Sequence, residues 1–119
     1  VWFDLNDENP LNFHLCFMMQ LSRFLGFYPK KDAAPNFQYF NLENGQFLNS
    51  QPITNAYIYG ETAILFHQLH ESNFETASKI KMTSSQRRNI LDSLIIYYKL
   101  HFPGFTDLKS IEVLKEVLS

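Results

Sequence analysis

The chain has 119 residues, 45% of them hydrophobic, and a formal net charge of -2. That length and apolar content suit one compact domain with a single core. The charge excludes a uniformly basic nucleic-acid coat and confines any phosphate-binding role to a local cluster, and the lone Cys16 excludes both an internal disulfide and a multi-cysteine zinc site.

The first residue is Val1 rather than Met, so the chain reads as a piece of a longer one. It carries no basic, apolar, small-residue leader. Its most apolar run, Leu15 to Leu21, falls short of the roughly 20 residues a membrane span needs. A soluble cytoplasmic protein with no membrane partner is expected. Residues 1–8 read as a tether with Trp2 and Phe3 packed down and Asp4, Asp7 and Glu8 in water. Asn9-Pro10 then starts a helix, with Asn as cap and Pro at the first position. The helix should reach about Phe27, with Leu11, Leu15, Met18, Met19, Phe24 and Leu25 on one face and Phe13, Phe17 and Leu21 widening it. Asn12, Gln20 and Arg23 form its polar seam, and Gly26 with Pro29 ends it.

After the polar loop of residues 30–36, Phe37–Leu42 and Gln46–Leu48 read as a hairpin across Glu43-Asn44-Gly45, because Asn-Gly is a strong turn signal. Two strands alone are marginal in water, so the hairpin must lean on the helices. Gln51–Tyr59 reads as a loop or short extended piece broken by Pro52. Glu61–His70 should be a short helix with Ile64, Leu65 and Leu69 inward, and Ser72 or Asn73 should cap another over residues 74–82. Thr83 or Ser84 caps a long helix whose Ile90, Leu91, Leu94, Ile95, Tyr98 and Phe102 repeat at helical spacing, widened by Ile96 and Tyr97. Pro103-Gly104 stops it, and Ser110 opens a terminal helix with Ile111, Val113, Leu114, Val117 and Leu118. The expected fold is mainly α: one domain over residues 1–119, a small helical bundle with a β-hairpin inserted at about residues 36–50.

No catalytic constellation is present. His67 and His70 lie three apart on one helix beside Glu71, but the pattern is not the H-E-x-x-H of a metalloprotease. Such a pair more commonly sits at a wet edge. His14 and His101 have no evident partner, and Cys16 lies mid-helix as a buried, inert thiol. Four glycines leave no phosphate-cradling loop. No enzyme, no cofactor and no metal is expected. The charge pattern says more. Lys79, Lys81, Arg87, Arg88 and Lys99 fall close together, opposed locally by Glu75 and Asp92. Cations at a helix start oppose its dipole, so helix stability does not select them. The cluster reads either as an ordinary solvated face or as a patch for phosphates or an acidic peptide.

Three stretches carry a resemblance. Asn12–Pro29 (NFHLCFMMQLSRFLGFYP) ends in Leu-Gly-Phe-Tyr-Pro, ENGQF forms the inserted hairpin, and Ser85–Leu118 contains Tyr97-Tyr98-Lys99-Leu100-His101-Phe102-Pro103 followed by Leu108-Lys109-Ser110 and Val113-Leu114. Together they resemble the C-terminal region of the RecO family of bacterial recombination mediators, in its Bacteroidetes form. The resemblance implies an upstream OB-fold, not in this chain, and a nucleoid-associated protein. Such a protein binds single- and double-stranded DNA, anneals strands, and works with RecR and the acidic tail of single-stranded-DNA-binding protein to load the recombinase. Arg87, Arg88, Lys79 and Lys81 are then the candidate positions for DNA or the acidic tail. Tyr39, Tyr57 and Tyr59 are candidate stacking platforms for bases. Many relatives carry a four-cysteine zinc module where this chain has none, so the insertion resembles a degenerate zinc finger held by Phe37, Tyr39, Phe40 and Phe47. A purely structural or protein-interaction domain without nucleic-acid contact is the competing reading.

Overall fold

A computed structural model describes residues 10–102. Helix α1 spans Pro10–Leu25, strands β1, β2 and β3 span Tyr39–Asn41, Gln46–Leu48 and Tyr57–Tyr59, and helices α2, α3 and α4 span Glu61–Glu71, Phe74–Ala77 and Ser84–His101. The expected tether and terminal helix lie outside the described residues. The mainly helical architecture with a β insertion is as expected. The insertion is larger, however: an antiparallel sheet of three strands in the order β2-β1-β3. Phe40 pairs with Phe47 on one side and with Ile58 on the other. Tyr57-Ile58-Tyr59 has the period-2 alternation of a half-buried strand, but three residues behind Pro52 are too short a run to stand out.

The helices form as their local chemistry directs. Gly26, at φ 95°, ends α1 in the left-handed conformation that glycine adopts without a Cβ penalty. Thr83 caps α4 through a reciprocal pair of bonds: its hydroxyl accepts from the Gln86 N–H, and the Gln86 side chain accepts from the Thr83 N–H. Asn73 and Thr76 make the same box at α3. That helix stops at Ala77 instead of running to Met82. Beyond it the chain leaves the helical path, with Ile80 and Met82 packed inward and Lys79 and Lys81 exposed.

One core joins all elements. Phe40 and Phe47 from the sheet, Phe66 from α2 and Tyr97 from α4 are buried and meet ring to ring, with Phe40 4.5 Å from Phe47, 4.7 Å from Phe66 and 5.6 Å from Tyr97. Leu15, Met18 and Met19 of α1 and Ile90 and Leu94 of α4 complete it. Two hydroxyls at the centre bond to backbone carbonyls, Tyr98 to Met18 at 2.6 Å and Tyr97 to Phe27. Burial pushes both phenols far above their usual range. Several side chains expected inward point out: Phe24 and Leu25 of α1, Ile64 of α2, Ile96 of α4, and Phe102 just past the end of α4.

Candidate functional site

The four cations singled out in the sequence lie along one continuous edge, the linking segment 78–83 and the first two turns of α4. This edge is fixed from three directions. Asn12 of α1 donates through Nδ2 to the carbonyls of Ala77 at 3.0 Å and Ile80 at 2.7 Å. The Asn73–Thr76 box caps α3, the helix that leads into the segment, and the Thr83–Gln86 box holds the segment's end. Arg87 reaches back, its Nη1 donating to the Met82 carbonyl at 2.8 Å. Asn12 is therefore no part of a wet seam: it is buried, and its amide pins the loop that presents Lys79 and Lys81. Its helical phase is the available signal, since it lies on the same face as Leu15 and Met19.

The cations divide by exposure. Lys79, Lys81 and Arg88 are exposed, whereas Arg87 is half-buried and its Nε is enclosed without a hydrogen-bond partner. Among the described residues the ion pair is His67 Nδ1 to Glu71 at 3.1 Å, and none involves these four cations. Asp92, one turn beyond Arg88 on α4, is not paired with it. The edge thus carries positive charge with no carboxylate among the described residues paired to it, at the positive end of an 18-residue helix. Guanidinium groups in that state suit phosphate or carboxylate oxygens, which they bind bidentately.

A second candidate is the outer sheet face. Register places Tyr39, Asn41, Gln46, Leu48, Tyr57 and Tyr59 on one side. Tyr39 and Tyr57 are 5.8 Å apart, Tyr57 and Tyr59 are 6.3 Å apart, and Tyr59 is 67% exposed.

The histidines have structural partners the sequence did not disclose. His70 is buried against Tyr28 at 4.6 Å. Its Nε2 lies 3.0 Å from the Pro29 carbonyl, which can only accept, so Nε2 carries the proton. Burial lowers its pKa. His101 bonds to the Leu42 carbonyl at 2.7 Å and stacks on Phe27 at 5.5 Å. His67 and His70, with ring centres 6.0 Å apart, each have one ring nitrogen on a different partner, Glu71 for His67 and the Pro29 carbonyl for His70, and the described residues hold no group of three or more metal-ligating side chains. Burial also raises the pKa of the Cys16 thiol, as for an inert core cysteine.

The family model for the C-terminal part of recombination protein O matches residues 2–110. The chain belongs to the RecO family. It is 37% identical over 118 residues to a DNA repair protein RecO of Phocaeicola vulgatus, covering 99% of this chain and 49% of that protein. It is 39% identical over 118 residues to the RecO of Bacteroides fragilis strain ATCC 25285, covering 98% and 49%. The RecO of Flavobacterium psychrophilum is 33% identical over 118 residues, covering 99% and 48%. The chain therefore spans about half the length of these RecO relatives. No solved structure matches it. No helix among the described residues is long and apolar enough to cross a membrane.

Proposed function

We propose that this chain is the C-terminal, non-catalytic part of a cytoplasmic, nucleoid-associated DNA repair and recombination mediator. Its basic edge at the start of α4 takes the phosphates of DNA or the acidic tail of single-stranded-DNA-binding protein. The observation that carries the reading is the set Lys79, Lys81, Arg87 and Arg88, without an ion-pair partner among the described residues, on a segment pinned by Asn12 and flanked by two capping boxes. Arg87, anchored to Met82, orients the edge, and Arg88, Lys79 and Lys81 meet the anion. The tyrosines of the outer sheet face would add sequence-tolerant stacking for single-stranded bases. The sheet itself fits a degenerate zinc-finger-like insertion whose ring packing stands in for metal. Docking of RecR belongs to the same reading, on a face the basic edge leaves free.

The test uses the full-length protein with Lys79→Glu, Lys81→Glu and Arg88→Glu combined. Removing phosphate-binding cations should weaken DNA binding at least about tenfold at low salt. It should also flatten the salt dependence, lowering its slope by about one for each phosphate no longer neutralised. Unchanged affinity for both DNA and an acidic tail peptide would refute the site. A second reading, a protein-interaction module that touches no nucleic acid, is favoured by the net charge of -2 and the exposed rings of α1. The wild-type salt titration separates the two, since an apolar interface responds little to salt.

A further inference from the structure

Helix α1 is apolar on both sides. Its inner face places Leu15, Met18, Met19 and Ser22 in the core. Its outer face carries Phe13, Phe17 and Phe24, which are 46%, 51% and 84% exposed. At 3.6 residues per turn these three rings project within roughly 40° of one another, on the side opposite the core. Phe74 of α3 extends the patch, its ring 4.8 Å from that of Phe13. Gln20, on the same stripe, is tied by Nε2 to the Ser72 carbonyl at 3.4 Å, so it offers little polarity to water. Apart from Arg23, whose guanidinium lies over the Tyr28 ring at 4.9 Å, the helix holds no acidic or strongly basic side chain. A helix with apolar side chains on two opposite faces belongs inside a larger structure. The bare rings amount to a patch on the order of 400 Å², at the upper end of what a soluble monomer leaves uncovered.

We infer that the outer face of α1, through Phe13, Phe17 and Phe24, is the seat on which the preceding half of the full-length protein packs. This rests on the family membership, not on the basic edge. About half of each relative lies outside the region this chain matches, and the matching family model is that of a C-terminal part. The family match begins at residue 2, shortly before the helix that bears the rings. The eight matched residues before it span at most about 30 Å whatever their path, while α1 itself is about 24 Å long. A preceding domain is therefore tethered within reach of the whole stripe. Such tethering raises its effective concentration to the millimolar range for short linkers, ahead of any free partner.

Accessibility of the stripe in the full-length protein tests this. Phe17→Cys and Phe24→Cys are made separately, with Ile53→Cys, on a fully exposed loop residue, as control. A maleimide labels each protein, mass spectrometry assigns the labelled site apart from buried Cys16, and circular dichroism checks folding. In the full-length protein the thiols introduced at positions 17 and 24 are expected to react at least about tenfold more slowly than the control thiol, independently of protein concentration. In the 119-residue chain they should approach the control rate. Control-like rates in the full-length protein would overturn the inference. Protection lost on dilution would mean that a second copy covers the stripe. Protection persisting in the 119-residue chain would mean that the chain's own ends do, and either result also overturns it. If one cysteine variant misfolds, the other carries the measurement. As an independent readout, Phe17→Ser with Phe24→Ser should split the single thermal transition of the full-length protein into two, and an unsplit transition counts against the inference.

Discussion

Two side chains set more of this fold than their size suggests. Asn12 lies fully buried and supplies both its amide hydrogens to carbonyls 65 and 68 residues away. Replacing it by Leu leaves the Ile80 carbonyl without its donor, while the Ala77 carbonyl keeps the bond from the Ile80 N–H, and an orphaned acceptor costs about 1–3 kcal/mol. Asn12→Leu should therefore lose about 1–3 kcal/mol in urea unfolding. The change should also raise amide exchange in residues 78–83, the segment that holds Lys79 and Lys81. His70 controls pH dependence. Burial lowers its pKa and the neighbouring His67 and Lys31 push the same way, against the Pro29 carbonyl and Glu71. An unfolded histidine titrates near about 6.5. As pH falls through that value the unfolded chain takes up a proton the folded chain refuses, so stability is present above it and falls below it. One such group contributes at most about 1.4 kcal/mol per pH unit. His70→Gln should narrow the gap between unfolding midpoints at pH values of about 7.5 and 5.5, on either side of that titration. A dependence of the same sign remains from His14, whose pKa burial also lowers.

At the scale of elements, the hairpin turn and α4 are fitted to each other at one atom. Gly45 sits at φ 72°, and a Cβ there would stand 2.9 Å from the Tyr97 hydroxyl oxygen. That hydroxyl cannot swing away cheaply, since its ring is buried and it bonds to the Phe27 carbonyl. Gly45→Ala therefore combines left-handed strain of about 1–2 kcal/mol with a displaced core tyrosine. A total loss near about 3 kcal/mol is expected, measurable as a lowered urea midpoint. Asn44-Gly45 is readable in the sequence as a turn, and so are all the longer helices, because caps and apolar periodicity are local signals. What stays hidden is set at long range. The end of α3 at Ala77 depends on Asn12, the third strand depends on pairing with β1, and the outward turn of Phe24 and Ile64 depends on which neighbours exist to cover them. The same holds for the candidate site. Arg87, Arg88, Lys79 and Lys81 can be singled out as a charge cluster, but not the anchoring of Arg87 to Met82 or the absence of a carboxylate partner among the described residues.

For the molecule as a whole, the sheet has no independent means of support. Its strands are three residues each, and such short strands without a packed face are marginal in water. What holds them is the ring contact of Phe40 and Phe47 with Phe66, Tyr97, Phe37 and the two histidines of α2. Packing of this kind joins β1 and β2 to α2 and α4, so the sheet should melt with the helices instead of before them. Backbone amides of Phe40 and Phe47 should exchange with free energies close to those of Leu94 and Tyr98, because both sets open only in global unfolding. Phe40→Ala, which empties the centre of the cluster, should cost about 3–5 kcal/mol and lower the protection of α4 and of the sheet together. A sheet organised by a bound metal would respond to chelation, whereas one organised by rings should not. Incubation with a strong chelator should leave the melting temperature unmoved, and a fall of several degrees confined to the sheet amides would show that metal, not ring packing, holds the insertion in place.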